Sequence, residues 1–395
     1  MRLLLVADTY PPARISGALQ MRDLALALAQ LGHRPVVLAP TSEPGPVVRL
    51  EEADGVQVLR VRAPRTKDVS LVRRAVAECL LPWALLRGLR ASPLHSEAWD
   101  GVVWYSPTIF LGPLVRSLKR SHGCRSYLIL RDLFPDWAVD AGVMRKGLAY
   151  RFFKAVERFQ YRHADVIGVQ TPSNAPLVAR DAPAAARIEV LHNWLSPPAD
   201  DAAANHPAPS LRHLDGRTNF VYAGNMGVAQ DLDAFVALAR RMNERSDIGF
   251  VFVGRGSESA RLKAIADAED LSNLLVLAEV DPSCLPSLFA RCHIGIIALH
   301  PAHGTHNIPG KLLTYLHAGM PVLARVNPDN DLVGVIEQEG VGLAVPGDDP
   351  SLLHAHALRL ADDAELRRQM GGTGKALASR MFSPRSAAKQ IVSRL

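Results

Sequence analysis

The 395-residue sequence lacks several features that would assign it at once to a special class of protein. Its four cysteines, Cys79, Cys124, Cys284 and Cys292, form no C-x-x-C pair, which argues against a disulfide framework and is typical of a reducing compartment. No run of about 18 apolar residues occurs, so no membrane-spanning helix is predicted. The opening "MRLLLVADTYPP" lacks the long apolar region and the cleavage site of a signal peptide, and it predicts a first buried strand.

Charged residues are also few, at 21% of the chain against 48% hydrophobic residues. This balance excludes a disordered protein, because enough apolar surface is available for burial. The length is sufficient for two domains with full hydrophobic cores.

The net charge of +6 is unevenly distributed, because acidic residues are scarce between residues 60 and 90. The basic residues there are Arg60, Arg62, Arg65, Lys67, Arg73, Arg74, Arg87 and Arg90, opposed only by Asp68 and Glu78. In "CLLPWALLRGL", Trp83 lies among leucines and Pro82 is expected to interrupt a helix. Two interpretations stay open: a basic amphipathic segment at an anionic membrane interface, or a core helix with a solvated basic rim. Nucleic-acid binding is less favoured, since the aromatic residues are not interleaved with the basic ones.

Strand-like apolar runs alternate with helical patterns in both halves of the chain. The first half contains "RLLLVA", "RPVVLAP", "VQVLRVR", "GVVWYS", "SYLILRD", "DVIGVQT" and "IEVLHN"; the second contains "NFVYAG", "IGFVFVG", "LLVLAEV", "IGIIAL", "MPVLAR" and "GLAVPG". Buried strands separated by helices predict an α/β fold with doubly wound parallel sheets. Between the halves, "SPPADDAAANHPAPS" is typical of a linker.

This alternation predicts two Rossmann-like domains with ligands bound in a cleft at the carboxyl ends of their strands. The predicted boundaries are an N-terminal domain at 1–196, a linker at 197–216 and a C-terminal domain at 217–380. A last helix is expected at 381–395.

Two motifs in the first half are candidates for the site. In "TYPPARISGALQ", Gly17 stands where a helix begins after a strand, and it would allow a ligand to approach the backbone. An ordinary strand-to-helix turn explains the same residues. In "LRDLFPDWAVDAG", Arg131 and Asp132 follow an apolar strand and so lie at the expected cleft. We predict a functional role for this pair, against the alternative of a buried structural ion pair.

Two glycine-containing turns follow strands of the second half. In "VYAGNMGVAQDL", Gly224, Asn225, Met226 and Gly227 are predicted to offer backbone N–H groups to a pyrophosphate. The turn "FVGRGSESARL" repeats this arrangement, and Arg255 there is a candidate phosphate or interdomain contact.

The segment 305–322, "THNIPGKLLTYLHAGMPV", has the pattern of a phosphate-binding loop that opens a helix, yet it contains no Asp or Glu. Lys311 adds a positive charge near the positive end of that helix, and His306 is a candidate donor near phosphate. His300, His303 and His306 recur every three residues. Because the loop also contains Pro301 and Gly304 and no carboxylate or cysteine, we predict no metal site.

Together these segments resemble the retaining family-four glycosyltransferases of the GT-B fold, over nearly the whole chain. "LLLVADTYPPARISGALQMRDLALALAQLGHRPVVLAP" is similar to the first strand, loop and helix of that family, and "GVGLAVPGDDPSLLHAHALRLADDAELRRQMGGTGKALASRMFS" to its last strand and C-terminal helices. In that family a final helix returns to the N-terminal domain, which "SPRSAAKQIVSRL" would supply. "RDLFPDWAVDAG", "HNW", "YAGNMGVAQDL" and "PGKLLTYLHAGMPV" most resemble a bacterial branch that makes O-antigen and capsule units, including N-acetylfucosamine transferases.

The resemblance implies a set of donor contacts and also shows departures. The Glu-x7-Glu motif of the family falls on His306 and Thr314, where the resemblance implies contacts with the sugar or diphosphate and with ribose. The family's basic residues after the strand "VYAG" are absent, so Arg255 and Lys311 are the candidates for neutralising the diphosphate. The resemblance further implies that Val280 packs on the base, and that the loop Asn307, Ile308, Pro309 and Gly310 presents N–H groups to phosphate. Arg131 stands where many relatives carry a histidine of a His-Asp pair.

The implied activity is transfer of an N-acetylated amino or deoxyamino hexose from a UDP-sugar to a polyprenyl-diphosphate-linked saccharide. The expected stereochemistry is retention by front-face attack, with no metal or other cofactor. The catalytic candidates are Arg131, Asp132 and His306, and Lys311→Ala is expected to lower turnover without unfolding the chain. The implied location is the cytoplasmic face of the inner membrane. Alternatives are a transferase with a soluble acceptor, a sugar-nucleotide-binding protein that has lost catalysis, and a GT-B epimerase.

Overall fold

The computed structural model describes residues 1–13, 15–66, 69–140, 142–197, 206–302 and 307–395. The chain forms two compact units. Unit 1 comprises Met1–Trp194 and Ser383–Leu395, and unit 2 comprises Leu195–Phe382. No helix within these ranges is both long enough and apolar enough to cross a bilayer.

Unit 1 is built on an eight-stranded sheet in the order β3-β4-β2-β1-β5-β6-β7-β8. The strands are β1 Arg2–Val6, β2 Arg34–Thr41, β3 Val48–Ala53, β4 Val56–Arg62, β5 Gly101–Ser106, β6 Arg125–Leu130, β7 Val166–Val169 and β8 Arg187–Val190. Neighbouring strands are parallel except β3, which pairs antiparallel with β4 at the edge. Buried parallel strands require helices on both faces of the sheet.

The helices of unit 1 divide between those two faces. They are α1 Ser16–Gln30, α2 Leu71–Arg90, α3 Gly112–His122, α4 Asp136–Asp140, α5 Leu148–Tyr161, α6 Asn174–Ala179 and α14 Pro384–Val392. Apolar residues of α2, α3, α5 and α6 pack in one core, and those of α1 and α14 pack in the core on the opposite face. The last helix of the chain therefore completes unit 1.

Unit 2 contains a six-stranded parallel sheet in the order β11-β10-β9-β12-β13-β14. The strands are β9 Thr218–Ala223, β10 Ile248–Val253, β11 Leu274–Leu277, β12 Ile294–Ala298, β13 Val322–Val326 and β14 Gly342–Pro346. The helices are α7 Asp233–Arg241, α8 Ser259–Ala268, α9 Leu285–Phe289, α10 Gly310–Ala318, α11 Asp331–Glu339, α12 Pro350–Asp362 and α13 Ala364–Met381. Because β9 pairs with both β10 and β12, the strand order reverses there, and ligands bind at such a point beyond the carboxyl ends of the strands.

Two features differ from the sequence-based expectations. Helix α2 continues through Pro82 instead of being interrupted, because Leu81, Leu85 and Leu89 bury one side of it and packing compensates for the missing hydrogen bond. The predicted linker at 197–216 is also too long at its end. Leu211 and Leu214 are fully buried in the core of unit 2, so this part of the segment belongs to the domain.

Candidate functional site

Most backbone N–H groups of the loop after β9 already donate hydrogen bonds within unit 2. The N–H of Gly224 donates to Val253 O at 2.9 Å, that of Met226 to Arg255 O at 2.7 Å, and that of Gly227 to Gln230 Oε1 at 3.1 Å. The Asn225 N–H has no acceptor among the described residues. The prediction that this loop offers a row of N–H groups to a pyrophosphate is therefore wrong for three of its four residues.

Met226, predicted to contact the donor through its backbone, has a structural role instead. It is fully buried and packs in the core beneath β9 and β10. The N–H at this position is used to join the β9 loop to the β10 loop, since Arg255 supplies the acceptor. Met226 thus anchors the loop, whereas Asn225 is exposed beside it.

The β10 loop lies directly against the β9 loop. A methyl group added to Gly254 would lie 1.9 Å from the Gly224 carbonyl oxygen, and Gly254 has a φ of +150°. A glycine is therefore required at position 254 by the contact between the two loops. Arg255 extends into solvent with its side chain 80% exposed and is 3.5 Å from Glu279, so its charge is already opposed by a carboxylate.

Lys311 reaches the end of β9 from the first turn of α10. Its Nζ lies 4.9 Å from the centre of the Tyr222 ring. A methyl group on Gly224 would lie 2.7 Å from Lys311 Cε and 3.1 Å from Nζ, so the glycine makes room for the lysine. This ammonium occupies the end of β9, where the resemblance indicates missing basic residues. The aromatic partner of Lys311 is Tyr222, which stands two residues before Gly224 in the sequence and was not predicted as part of the site.

The Lys311 ammonium is poorly solvated. Burial lowers its pKa from the usual 10.5. Within the part of the chain that the structure describes, no carboxylate lies within ion-pair distance of it. Desolvation penalises a charge that has no partner, so this position favours an anion that would supply one.

The start of α10 contributes further donors. Pro309 is the N-cap and accepts a hydrogen bond from Leu312 N–H at 3.1 Å. The N–H groups of Gly310 and Lys311 have no acceptor among the described residues, as is usual for a first helical turn. They lie at the positive end of the helix, beside the lysine ammonium.

The remaining donor-binding candidates have different surroundings. Thr314 donates to Gly310 O at 3.4 Å, and Ile308 is buried in the core of unit 2. Asn307 is half-buried, and Val280 is half-buried and packs against the same core. His306 lies outside the described residues.

In unit 1, Arg131 is a buried structural cation. Its guanidinium donates to Leu191 O at 2.7 Å and to His192 O at 3.2 Å, and it lies 5.1 Å from the centre of the Trp194 ring. Only 6% of the residue is exposed. The predicted catalytic role of Arg131 is therefore not supported by its position, because its guanidinium binds two backbone carbonyls and holds the chain after β8 against the sheet.

Asp132 is placed differently from its neighbour. It keeps contact with solvent at the carboxyl end of β6, yet the surrounding chain raises the pKa of its carboxyl by desolvation, which the Arg131 charge opposes. Burial also raises the pKa of Tyr105 to about 12, with Asp132 and Asp8 adding to the shift. The ends of three strands thus place Asp8 and Asp132 each close enough to Tyr105 to influence its hydroxyl.

Gly17 belongs to the same region for a packing reason. A methyl group there would lie 2.9 Å from Tyr105 Cε1. The Tyr105 hydroxyl donates to Gln20 Oε1 at 3.1 Å, one turn further along α1. Gly17 therefore lets α1 pack on Tyr105, and its predicted ligand contact stays a prediction.

A carboxylate cluster elsewhere in unit 1 already contains a cation. Asp136, Glu157 and Asp181 converge on the Lys154 ammonium at 2.6, 2.6 and 2.7 Å. Arg158 adds a second cation at 2.7 Å from Asp181, so the cluster is an ion-pair network of two cations and three acidic groups.

Solved structures with this architecture define the class. Sucrose-phosphate synthase from Thermosynechococcus elongatus aligns over 99% of this chain and 97% of its own, with a TM-score of 0.70 and 17% identity. WaaG, a glycosyltransferase of lipopolysaccharide biosynthesis, aligns over 98% and 99% with a TM-score of 0.64 and 16% identity. The fold is that of the GT-B glycosyltransferases, so the predicted fold class is confirmed.

Sequence comparison identifies the family. The model "Glycosyl transferase 4-like domain" matches residues 17–194, and "Glycosyl transferases group 1" matches residues 217–363. "Probable glycosyltransferase WbjE" of Pseudomonas aeruginosa is 24% identical over 81% of this chain and 79% of its own. WcaI of Escherichia coli, named for colanic acid biosynthesis, is 25% identical over 56% of each chain. The chain belongs to this family of glycosyltransferases.

Proposed function

We propose that this glycosyltransferase moves an N-acetylated amino or deoxyamino hexose from a UDP-sugar to a polyprenyl-diphosphate-linked saccharide, with retention, in the assembly of bacterial O-antigen, capsule or exopolysaccharide. The relatives support the setting, since WcaI is named for colanic acid and WaaG for lipopolysaccharide. The nucleotide is supported by the structures of Anabaena HepE and of TarM, both in complex with UDP. The N-acetylfucosamine branch rests on the resemblance of the motifs alone.

The observation that carries the proposal is the unpaired ammonium of Lys311 at the end of β9. Transfer breaks the bond between the anomeric carbon and the oxygen of the β-phosphate, and negative charge grows on the UDP that leaves. A desolvated ammonium stabilises that charge more strongly than a solvated one would. The first-turn N–H groups of Gly310 and Lys311, which have no acceptor among the described residues, add to the same stabilisation.

These positive groups also support transfer without a metal ion. A lysine and a helix N-terminus supply to the diphosphate the charge compensation that a divalent cation supplies in other transferases. Asp132, with its raised pKa at the carboxyl end of β6, is the group of unit 1 that we assign to the acceptor. In front-face attack the departing phosphate oxygen takes the proton of the acceptor hydroxyl, and no protein nucleophile is needed.

The test uses the full chain and a screen of UDP-sugars. We expect UDP to raise the melting temperature, because a ligand that binds only the folded state stabilises it by mass action. One UDP-sugar is then expected to be consumed with a polyprenyl-diphosphate saccharide in the presence of EDTA, giving a product whose anomeric coupling constant matches that of the donor. An inverted product or a requirement for divalent metal would refute the mechanism. Stabilisation by UDP without any transfer would instead indicate a binding protein.

A further inference from the structure

The outward side of α2 carries an apolar centre between basic ends. Its exposed positions are Arg73, Arg74, Val76, Leu80, Trp83, Arg87 and Arg90, and all of them except Arg74 follow one helical repeat along the same side. The three apolar side chains are 55%, 50% and 54% exposed. The outward side of a surface helix is ordinarily polar, so this stripe calls for an explanation.

The arginines at the ends of this stripe differ from Arg74 in their surroundings. Within the described residues, Arg73, Arg87 and Arg90 have no carboxylate within ion-pair distance, whereas Arg74 is bound to Glu78 at 2.7 Å. An unpaired cation at a surface is free to bind an external anion. The stripe thus combines exposed apolar area with uncompensated positive charge.

A second group of the same chemistry lies on α4 and α5. Trp137, Leu148 and Phe152 are 47%, 84% and 50% exposed. Three exposed cations accompany them, and none has a carboxylate partner in the part of the chain that the structure describes: Arg145, Lys146 and Arg151. An aromatic cluster supports the group from beneath, with Phe153 stacked edge-on against Phe134 at 5.1 Å.

Both groups belong to one helical layer of unit 1. Helices α2, α3 and α5 share the core on one face of the sheet. Thr108, just before α3, donates to Glu78 of α2 at 3.3 Å, and Phe110 lies 6.3 Å from Phe153 of α5. The opposite face is covered by α1 and α14.

We propose that Val76, Leu80, Trp83, Trp137, Leu148 and Phe152 form a surface that inserts into the headgroup region of an anionic bilayer, flanked by the unpaired arginines and lysine. This inference rests on the proposed lipid-linked acceptor, which gives the enzyme a reason to meet a membrane. Tryptophan and leucine with basic flanks are the composition of interfacial helices. Anionic lipid headgroups match the unpaired cations, whereas a protein partner would be expected to meet a rim of both signs.

The tryptophans provide a direct readout of insertion. Of the five tryptophans, Trp99, Trp104 and Trp194 are buried, and the two exposed ones both lie in the proposed surface. Brominated lipids quench only indoles that enter the bilayer. We expect vesicles of brominated phosphatidylcholine and phosphatidylglycerol to quench the full-length protein, and the Trp83→Phe/Trp137→Phe variant to lose most of that quenching.

Co-sedimentation tests the charges with a matched control. Arg87→Glu/Arg90→Glu is expected to weaken binding to phosphatidylglycerol vesicles roughly tenfold or more, and high salt to have a similar effect on the wild type. The control is Arg385→Glu/Lys389→Glu, which reverses two exposed charges of α14 on the opposite face and should bind nearly as the wild type does.

The outcomes separate this surface from the proposed function, because UDP stabilisation is measured on the same proteins. Equal binding by both charge variants would place the lipid contact elsewhere and overturn the proposal. So would a protein that UDP stabilises but that binds no anionic vesicles. Vesicle binding that follows the predicted residues, in a protein that UDP does not stabilise, would support the surface and refute the donor site.

Discussion

Replacing Lys311 with methionine is the most direct test of the site. Methionine keeps much of the side-chain volume beside Tyr222 and Gly224 but removes the charge. In the free protein the ammonium is desolvated without a carboxylate partner among the described residues. Its removal should therefore leave the free energy of unfolding unchanged or slightly higher, since an uncompensated buried charge is lost.

The effect on UDP binding should be much larger. A hydrogen bond to a charged group contributes about 1.5–3 kcal/mol, and the diphosphate would lose one such contact. Because about 1.4 kcal/mol corresponds to a tenfold change, UDP is expected to bind roughly 10- to 150-fold more weakly to the variant. The same loss should appear in kcat/KM for sugar transfer.

Isothermal titration with UDP measures this effect, and Lys375→Met provides a matched control. Lys375 also packs on a glycine of unit 2, with its Cε 2.5 Å from a methyl group placed on Gly319, but at the other end of α10. The control should bind UDP within about twofold of the wild type. Unchanged affinity in Lys311→Met, or an equal loss in both variants, would refute the role assigned to the ammonium.

Three further predictions follow from the same geometry. Because burial lowers the pKa of Lys311 from 10.5, UDP binding should weaken as the pH rises through this lowered pKa and the ammonium loses its charge. In the same pH range the folded protein binds fewer protons than the unfolded chain, so the contribution of Lys311 to the free energy of unfolding should rise with pH; a difference titration against Lys311→Met measures both effects. Arg131→Met removes the donors to two carbonyls and should lower the free energy of unfolding by about 2–5 kcal/mol. Unfolding is followed by tryptophan fluorescence, because all five tryptophans lie in unit 1. A variant that is stable but inactive would instead support the predicted catalytic role of Arg131. Gly254→Ala should separate the two loops and weaken UDP binding. The control is Gly372→Ala, where an added methyl group meets no atom within 4 Å, and it should be neutral or stabilising by about 0.5–1 kcal/mol in thermal unfolding. Equal effects of the two substitutions would contradict the loop contact.

Much of the fold was accessible from the apolar runs alone. Every predicted strand of the two halves corresponds to a strand of the sheets, because most of these parallel strands are buried and predominantly apolar. Strand β3, with the sequence "VRLEEA", was not predicted, and none of its six residues is fully buried. It lies at the sheet edge, where only one neighbour and partial burial are available, so no apolar run marks it.

The site was accessible only in part, because a sequence shows a charge but not its partner. Arg131 and Lys311 both follow the pattern of a cation at a strand end or helix start. Folding directs the first towards two backbone carbonyls and the second into a region without a carboxylate among the described residues. Likewise, the N–H of Met226 donates to Arg255 O in the neighbouring β10 loop, and that of Gly227 donates to the Gln230 side chain three residues away, contacts that only the fold reveals.

The absence of acid from the loop at 305–322 and the availability of Lys311 have the same origin. The resemblance indicates that relatives carry a glutamate at the position of Thr314, three residues after Lys311 on the same side of α10. Opposite charges at that spacing pair on a helix surface. Here the threonine instead donates to Gly310 O at 3.4 Å and leaves the ammonium without a competing carboxylate. Under the proposed function, a site that lacks the basic residues usual after β9 thus keeps the charge of Lys311 for the phosphate, and the ribose would be held by groups other than a carboxylate at this position.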